Sequence, residues 1–293
     1  MSETIPMRDD FCAMILTHGR PDRVHTYDTL RRFNYTGKIL LVVDDQDPTL
    51  PEYQARYGDD VLVFSKEDIA SRFDEADNFE KRGAIFYARN ACFELAEAAG
   101  YQCFIQLDDD YTGLYFRFNS KAVYGAWRAE CLDDIFSALL EYFEAIPALS
   151  ICISQGGDHI GGSSGTFSEQ VTAKRKAMNT FICSVDRPFS FAGKVNEDVS
   201  TYTMLGRRGE LFLTIVSVQV NQRQTQTNSG GMTDLYLDAG TYVKSFYSVM
   251  HAPSCVKISE IGTSHRRIHH GIDWTAAAVQ IVPEKYRKAR PGL

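Results

Sequence analysis

Apolar and polar positions change in blocks along the first part of the chain, and the blocks predict strands and helices in turn. Apolar runs predict buried strands over residues 11–16, 39–43 and 61–64, and a run with a single polar residue predicts another over 103–107. Apolar residues at helical spacing predict one helix after Pro21 and another between Gly83 and Gly100, with Gly100 in a C-cap position. Because strands alternate with helices, we expect an α/β fold with a mainly parallel sheet.

The pattern is more mixed in the second part of the chain. It predicts, in order, a helix over 128–145, a strand over 149–154, a flexible Gly/Ser-rich loop over 155–168 and a polar Gln/Asn/Gly-rich loop over 219–232. Between the two loops, a helix-like stretch runs from Val199 to Leu205. No clean linker separates the two parts, so we expect one continuous domain.

Composition and charge narrow the class of protein. The 293 residues are 44% hydrophobic and 24% charged, and their net charge of −7 argues against a free-standing basic nucleic-acid module. The basic segment Lys285–Arg290 could contact phosphates or be a solvated terminus. The chain starts without a signal-peptide pattern, and no apolar stretch approaches the ~18 residues of a membrane span. We therefore expect a cytoplasmic protein that does not enter a membrane, with its seven cysteines reduced.

Polar residues follow three of the predicted strands at the point where each strand ends. They are Thr17-His18-Gly19-Arg20, Asp44-Asp45 and Asp108-Asp109-Asp110. In an open α/β sheet, ligands bind outside the carboxyl ends of the strands, so we expect these groups to line one pocket. Closely spaced carboxylates are the hard oxygen ligands that Mg²⁺ and Mn²⁺ prefer, which makes the acidic triplet a candidate metal site. The alternative is a solvated acidic turn.

Two segments sharpen this prediction. Gly83–Asn90 (GAIFYARN), followed by a helix and Phe104–Asp110 (FIQLDDD), resembles the GT-A glycosyltransferases, in which an Ala-Arg-Asn helix precedes the strand that carries a DxD motif. The resemblance implies a GT-A-like, Rossmann-type donor half over residues 1–150 and a mixed α/β acceptor half over 151–293. It also implies Mn²⁺ or Mg²⁺ and a nucleotide-sugar donor, expected to be a UDP-sugar.

The same resemblance assigns residues to the donor and the metal. The residues expected to bind the nucleotide sugar are Thr17, His18, Arg20, Asp44, Arg89, Asp108 and Asp109. Asp110 and Asp108 are the expected carboxylate ligands of the metal, which bridges the diphosphate and stabilises charge on the leaving group. For Arg89, the alternative is an arginine on the surface of a helix.

A Glu-Asp pair, Glu197-Asp198, follows Asn196 ahead of the helix-like stretch. Acidic residues at a helix start are often only caps, stabilised by the positive end of the helix dipole. The pair also resembles the Glu-Asp motif of inverting GT-A enzymes. That resemblance implies Asp198 as the general base that deprotonates the acceptor hydroxyl, and Glu197 as the residue that binds or orients the acceptor.

Three of the seven histidines cluster late in the chain, at His265, His269 and His270. GT-A enzymes often take a third metal ligand from a late histidine, and imidazole can ligate Mn²⁺ when it is neutral. The resemblance therefore implies His270 or His269 as a ligand, with His265 behind them. Arg266 and Arg267 could neutralise phosphates. The alternative is a structural role for the histidines.

A narrower resemblance covers most of the chain, from about Phe11 to Pro283. The segments that carry it are Lys174-Arg175-Lys176 with Asn179, Asn196-Glu197-Asp198, Thr225-Gln226, Gly230-Gly231-Met232, Lys244-Ser245-Phe246 and Arg267-Ile268-His269-His270. Together they resemble the bacteriophage glycosyltransferases associated with TET-type dioxygenases. This implies transfer of a hexose or pentose to 5-hydroxymethylcytosine, or another hydroxymethylated pyrimidine, in DNA within the host cytoplasm. The residues expected to contact the DNA are Lys174, Arg175, Lys176 and Arg267.

Rival functions stay open. One is a glycosyltransferase that acts on a glycan or a lipid. Another is a metal-dependent nucleotidyltransferase, which would need a Gly-rich phosphate loop near the N-terminus, and Thr17–Pro21 is a poor match to such a loop. A third is a catalytically inactive nucleic-acid-binding protein, against which the intact Asp108, Asp110 and Asp198 argue.

Overall fold

A computed structural model describes residues 6–74, 83–165, 173–223, 242–262 and 266–279. The strands in these ranges are β1 (Phe11–Leu16), β2 (Lys38–Asp44), β3 (Val61–Phe64), β4 (Cys103–Asp108), β5 (Tyr111–Phe118), β6 (Tyr124–Arg128), β7 (Ala148–Gln155), β8 (Phe181–Ser184), β9 (Leu211–Gln222), β10 (Val256–Ile261) and β11 (Arg267–Ile272). The α-helices in these ranges are α1 (His25–Arg32), α2 (Leu50–Tyr57), α3 (Lys66–Ser71), α4 (Phe86–Ala98), α5 (Leu132–Ala145), α6 (Glu197–Gly206), α7 (Tyr242–His251) and α8 (Trp274–Ala277).

Nine strands of the described chain form one sheet, in the order β3-β2-β1-β4-β8-β7-β9-β5-β6. The first four are parallel to one another, whereas β8 runs antiparallel to β4 and β7, and β5 runs antiparallel to β9 and β6. The sheet is therefore mixed, and its parallel part is the half whose strand ends carry the predicted site. The predicted α/β class is confirmed. The expected boundary at residue 150 falls inside β7, which lies in the middle of this sheet.

Both faces of the sheet are covered, which explains the apolar runs in its parallel strands. Alternate residues of β1 enter different cores because successive side chains of a strand point to opposite faces. Ala13 and Ile15 pack with residues of α1, α2 and α5. Cys12 and Met14 pack with residues of α3, α4 and α6. Helix layers on the two faces thus hold the carboxyl ends of the central strands in place.

The remaining strands, β10 and β11, form a separate antiparallel pair. A small core built on Ala252, Cys255 and Ala277 joins this pair to α7 and α8, and Trp274 stacks on Tyr202 of α6 with ring centroids 5.8 Å apart. This packing brings β11, with two of the predicted histidines, close to Asn196, the residue before the helix that begins at Glu197.

Two predicted boundaries are wrong for the same physical reason. The helix predicted over 128–145 begins only at Leu132, because residues 124–128 pair with β5 as β6. The loop predicted over 219–232 begins too early, because Gln219 and Asn221 also pair with β5 as part of β9. In both cases a partner strand distant in the sequence supplies the hydrogen bonds, and a local pattern does not contain that information.

The Gly/Ser-rich segment is more ordered than predicted over its described part. It forms 3₁₀ turns at Gly156–His159 and Gly162–Ser164, and Gln155 and Asp158 cap the first turn reciprocally. A 3₁₀ turn needs no apolar periodicity, so the composition alone suggested a flexible loop.

Several sequence-based predictions lie outside the described residues. They concern Thr225-Gln226, Gly230-Gly231-Met232, His265 and Lys285–Arg290. All seven cysteines lie within the described ranges, and all are free thiols. None of the helices in those ranges has the length and apolarity needed to span a membrane.

Candidate active site

The ends of β1, β2 and β4 bring the predicted polar residues together. Leu16 lies beside Asp108 in the register of β1 and β4, so the residues after both strands share one edge. Thr17 Oγ1 donates a hydrogen bond to Asp109 Oδ2 at 2.8 Å. His18, which follows β1, has its Nδ1 2.6 Å from Oδ2 of Asp44, the last residue of the neighbouring β2. These contacts bring the predicted polar residues together at one edge of the sheet, and their role in a site stays a prediction.

The first turn of α1 holds the backbone of the acidic triplet. Thr26 Oγ1 donates to the Asp108 carbonyl at 2.5 Å and accepts from the Tyr111 N–H at 2.9 Å. The Thr26 N–H donates to the Asp109 carbonyl at 3.1 Å. Sequence reasoning missed Thr26, because a threonine near a helix start gives no sign of a partner more than 80 residues away.

The three aspartates of the triplet have different surroundings. Asp108 Oδ1 accepts a hydrogen bond from Arg89 Nη2 at 3.0 Å. Asp109 Oδ2, besides its bond from Thr17, lies 3.3 Å from Arg20 Nε. Asp110 Oδ1 is buried and accepts no hydrogen bond from the described residues. Burial and the charge of Asp109 raise the pKa of Asp110 to about 6. A buried carboxylate oxygen without a donor is costly unless a cation lies beside it.

Asp110 Oδ1 accepts no hydrogen bond from the described residues, and this observation favours a metal ion at the triplet. Burial, together with the neighbouring carboxylates, also raises the pKa of Asp108, although Arg89 opposes the shift. Hard oxygen donors in a site of excess negative charge suit Mg²⁺ or Mn²⁺. The triplet therefore fits a divalent cation held by Asp110 and Asp108, and this metal site stays a prediction.

The predicted histidine ligands lie on β11, with their ring centroids 4.2 Å apart. His270 is only 9% exposed, and burial, with His269 and Lys244, lowers its pKa to about 4, so its ring is neutral as metal ligation requires. Its Nδ1 lies 3.4 Å from Asn196 Nδ2. Within the described ranges, however, neither histidine joins Asp108 and Asp110 in a compact group of three ligands.

A different group does come together among the described residues. One ligand atom each from His18, Asp44 and Asp47 lies within 4.8 Å of the others. These atoms already have partners, since Lys66 Nζ lies 2.8 Å from Asp44 Oδ1 and the Gly19 N–H donates to Asp47 Oδ2 at 2.7 Å. A cation here would have to displace the buried Lys66 ammonium. We therefore favour the triplet as the metal site and regard this group as a network that orders the loop after β1.

The Glu-Asp pair stands at the start of α6, directly after Asn196 in the left-handed conformation (φ 55°). Glu197 Oε1 accepts from Arg89 Nε at 2.9 Å, so one guanidinium joins this pair to the triplet. Asp198 is 5% exposed, and its Oδ1 accepts from the Val199 N–H at 2.7 Å. Burial and the neighbouring Glu197 raise the pKa of Asp198, while Lys244 opposes the shift. One oxygen of Asp198 thus binds the backbone in the first turn of α6.

The structure also locates the expected DNA contacts. Arg175 Nη2 and Lys176 Nζ lie 2.8 Å and 3.2 Å from the buried Asp158 Oδ1, so part of their charge is neutralised within the protein. Arg267 is exposed at the start of β11. Burial lowers the pKa of His269, and the charges of Arg267, Lys244 and Lys176 lower it further. We call these three cations the basic rim; the carbonyl of Lys244 accepts a hydrogen bond at 2.7 Å from Asn196 Nδ2, directly before the Glu-Asp pair.

The chain resembles known proteins in its sequence and, more weakly, in its fold. A family model described as TET-Associated Glycosyltransferase matches residues 11–231, a range that contains both the acidic triplet and the Glu-Asp pair but ends before β11. No curated protein matches the sequence significantly.

Some solved structures resemble the chain weakly. A complex of Mycobacterium tuberculosis glucosyl-3-phosphoglycerate synthase with Mg²⁺ and uridine diphosphate is 9% identical, with a TM-score of 0.46 over 90% of this chain and 88% of that one. S. aureus TarS is 13% identical, with a TM-score of 0.45 over 74% of this chain and 37% of that one. Likeness at this level does not bear on the reaction.

Proposed function

Because the chain belongs to the TET-associated glycosyltransferase family, we propose that it transfers a sugar from a nucleotide-sugar donor to 5-hydroxymethylcytosine in DNA. The donor is taken to be a UDP-sugar, and the cofactor Mn²⁺ or Mg²⁺. The observation that carries the proposal is the family match, whose range includes both carboxylate motifs of the site.

The donor side of the proposal rests on the shared strand-end cluster. Thr17 and Arg20 hold Asp109, and Thr26 holds the backbone of the triplet, so these carboxylates are ordered before a donor binds. Preorganised charges at the leaving group are the largest contribution to many enzymatic rate accelerations. Asp108 and Asp110 would hold the metal, which would supply positive charge to offset the charge of the departing diphosphate.

The transfer itself needs one proton acceptor. In the proposed reaction, Asp198 accepts the proton of the hydroxymethyl group while the hydroxyl oxygen forms a bond to the anomeric carbon of the sugar. The bond between that carbon and the diphosphate breaks, and the nucleoside diphosphate leaves with the electron pair. Attack from the face opposite the leaving group inverts the anomeric centre. The raised pKa of Asp198 suits a base, because a stronger base accepts a proton more readily, provided that it is ionised at neutral pH.

The acceptor side is supported by the family's association with TET-type dioxygenases and by the basic rim. The charges of Lys176, Lys244 and Arg267 act on His269, and the charge of Lys244 also acts on Asp198. A polyanion that brings its hydroxyl group to Asp198 would meet these cations. Cations at this position would contact phosphates of the DNA, although the net charge of −7 limits overall affinity.

The acceptor can be tested by measuring nucleoside diphosphate release. The protein is incubated with Mn²⁺, a panel of nucleotide sugars and one of three duplexes of equal sequence that contain cytosine, 5-methylcytosine or 5-hydroxymethylcytosine. We expect release above the rate of donor hydrolysis only with the hydroxymethylated duplex. Equal release with all three duplexes, together with stimulation by a glycan or lipid, would favour the rival acceptor class. Release of pyrophosphate from a nucleoside triphosphate would favour a nucleotidyltransferase.

A further inference from the structure

Arg89 lies at the centre of the site rather than at its surface. Its side chain is 1% exposed, although it was expected beside the nucleotide or on the surface of a helix. The guanidinium lies beside Phe181 and Phe191, with its carbon 5.1 Å and 5.6 Å from the ring centroids, and the two rings pack edge to face with centroids 4.9 Å apart. An arginine so enclosed contacts its partners directly and cannot follow a ligand into solvent.

Its N–H groups are directed at both carboxylate motifs. Nη2 donates to Asp108 Oδ1 at 3.0 Å, and Nε donates to Glu197 Oε1 at 2.9 Å. Nη1 lies 3.3 Å from the Asn179 carbonyl and 3.4 Å from Gln106 Oε1. One planar group therefore spans two carboxylates that belong to β4 and α6 and are 89 residues apart in the chain.

The position of the guanidinium is itself fixed. Gln106 Nε2 donates to the Arg89 carbonyl at 3.0 Å, while its Oε1 faces the guanidinium of the same residue. Phe181 and Phe191, packed edge to face on each other, close off one side of the guanidinium. Because these partners are buried, they hold Arg89 in one orientation, and Arg89 in turn defines where Asp108 and Glu197 lie.

We propose that Arg89 is a positioning residue that sets the separation between the metal-and-donor carboxylates and the general base, by holding Asp108 and Glu197 on one guanidinium. The inference rests on the proposed function, because it takes Asp198 as the base. Glu197 and Asp198 occupy the first turn of α6, so fixing Glu197 also fixes the backbone that carries Asp198. The consequence is alignment of the attacking hydroxyl with the anomeric carbon, not donor affinity.

The proposal predicts that a positive charge at position 89 is not sufficient for a normal kcat. Lysine has a single charged nitrogen and cannot make parallel bonds to two carboxylates. Arg89→Lys should therefore leave the KM for the donor nearly unchanged and lower kcat by on the order of 10²-fold, the effect of a displacement of about 1 Å at a reacting centre. The same loss should appear in donor hydrolysis without DNA, because water attack also requires Asp198.

The chain offers a matched control in Arg187. It donates to the carbonyls of Ile146 and Ala148 at 2.9 Å and 2.8 Å and lies 3.9 Å above the Phe143 ring, but it follows β8 at the opposite edge of the sheet. Arg187→Lys should lower the free energy of unfolding and leave kcat unchanged. A merely structural role for Arg89 would make the two variants behave alike.

The experiment measures kcat and the donor KM of wild type, Arg89→Lys and Arg187→Lys, with hydroxymethylated duplex and without DNA, and then tests Arg89→Ala with added ethylguanidinium. We expect ethylguanidinium, but not ethylammonium, to restore part of kcat. Equal kcat losses in the two lysine variants, or a rise in donor KM with kcat intact, would overturn the proposal. A wild type that hydrolyses the donor without stimulation by DNA contradicts the proposed acceptor only, and the Arg89 comparison then continues on hydrolysis.

If the Arg89 variants do not fold, a double-mutant cycle on Asp108 and Glu197 tests the same connection, because Arg89 binds both residues. The kcat effects of Asp108→Asn and Glu197→Gln should be strongly non-additive, because each change alone already disturbs the shared guanidinium. Additive effects would overturn the proposal.

Discussion

Replacing Asp198 with asparagine separates the chemistry of this carboxylate from its contribution to the fold. The two side chains have nearly the same shape, and the asparagine oxygen can still accept from the Val199 N–H that Asp198 now binds at 2.7 Å. The change therefore removes the capacity to accept a proton at neutral pH and preserves the start of α6. A cap role and a base role predict different outcomes for this one variant.

The expected loss in rate is large and the expected loss in stability is small. General base catalysis contributes roughly 10²–10⁴-fold, so kcat should fall by that factor, which corresponds to about 2.7–5.5 kcal/mol in the activation barrier. Loss of a helix cap would cost about 1 kcal/mol, and the retained oxygen should avoid most of that cost. Burial raises the pKa of Asp198, so its ionised form destabilises the folded state, and the neutral variant should be at least as stable as wild type at neutral pH.

The pH dependence follows from the direction of that shift. The folded-state pKa of Asp198 lies above its ordinary value of 3.8, so the stability that its protonated form provides is complete below pH 3.8 and is lost as the pH rises through the raised pKa. Asp198→Asn does not undergo this loss. Its advantage in free energy of unfolding over wild type should be present at neutral pH and should disappear below pH 3.8.

The assay combines single-turnover transfer with urea unfolding, and Asp133→Asn serves as the control. Asp133 is 1% exposed and accepts from the Thr36 N–H and hydroxyl at 2.9 Å and 2.6 Å, far from the site on α5. Its variant should lose about 1.5–3 kcal/mol of stability with kcat intact, the opposite pattern. Near-normal kcat in Asp198→Asn, or a product that retains the anomeric configuration of the donor, would refute the base assignment.

Three further predictions concern the metal, the DNA and the half-buried His159. EDTA should abolish turnover, and Mn²⁺ should restore it in wild type but not in Asp110→Ala, which removes the carboxylate whose Oδ1 accepts no hydrogen bond from the described residues. Full activity in EDTA would contradict the metal assignment. The double variant Lys176→Glu, Arg267→Glu should raise the KM for hydroxymethylated duplex, make that KM less dependent on salt and leave donor hydrolysis unchanged. An unchanged KM would show that the basic rim does not bind DNA. Burial and Arg117 lower the pKa of His159 to about 4. The stability that the neutral ring provides is therefore present above pH 6.5 and is lost as the pH falls towards 4. The free energy of unfolding in urea should decrease less over that interval in His159→Gln than in wild type. An equal decrease in both proteins would contradict the role of His159.

Local patterns were sufficient for the elements that depend on local physics. β3 is found at the predicted residues 61–64, and the helix expected before Gly100 ends at Ala98, with Gly100 at φ 83°. Buried strands produce uninterrupted apolar runs, and a left-handed residue after a helix favours glycine. The strand-end cluster was predictable for the same reason, because parallel strands share their carboxyl edge.

The interior of the site depends on tertiary partners that no local pattern contains. Arg89 was recognised as a site residue, but its burial against Phe181 and its bond to Glu197 depend on how α4, β8 and α6 pack together. Lys66 and Asp47 were missed because a lone lysine or aspartate after a strand usually faces solvent. Lys244, which belonged to the family resemblance, gained its position beside His269 and Asp198 only from the folded chain.

The most direct test of the proposed activity is the chemical identity of the product. Hydroxymethylated duplex is incubated with the protein, Mn²⁺ and UDP-sugars, digested to nucleosides and analysed by mass spectrometry, with Asp198→Asn as the paired reaction. We predict a new nucleoside whose mass equals that of 5-hydroxymethyldeoxycytidine plus one sugar residue, formed by wild type and greatly reduced in the variant. Unmodified 5-hydroxymethyldeoxycytidine from the wild-type reaction, under conditions in which the protein consumes the donor, would contradict the account.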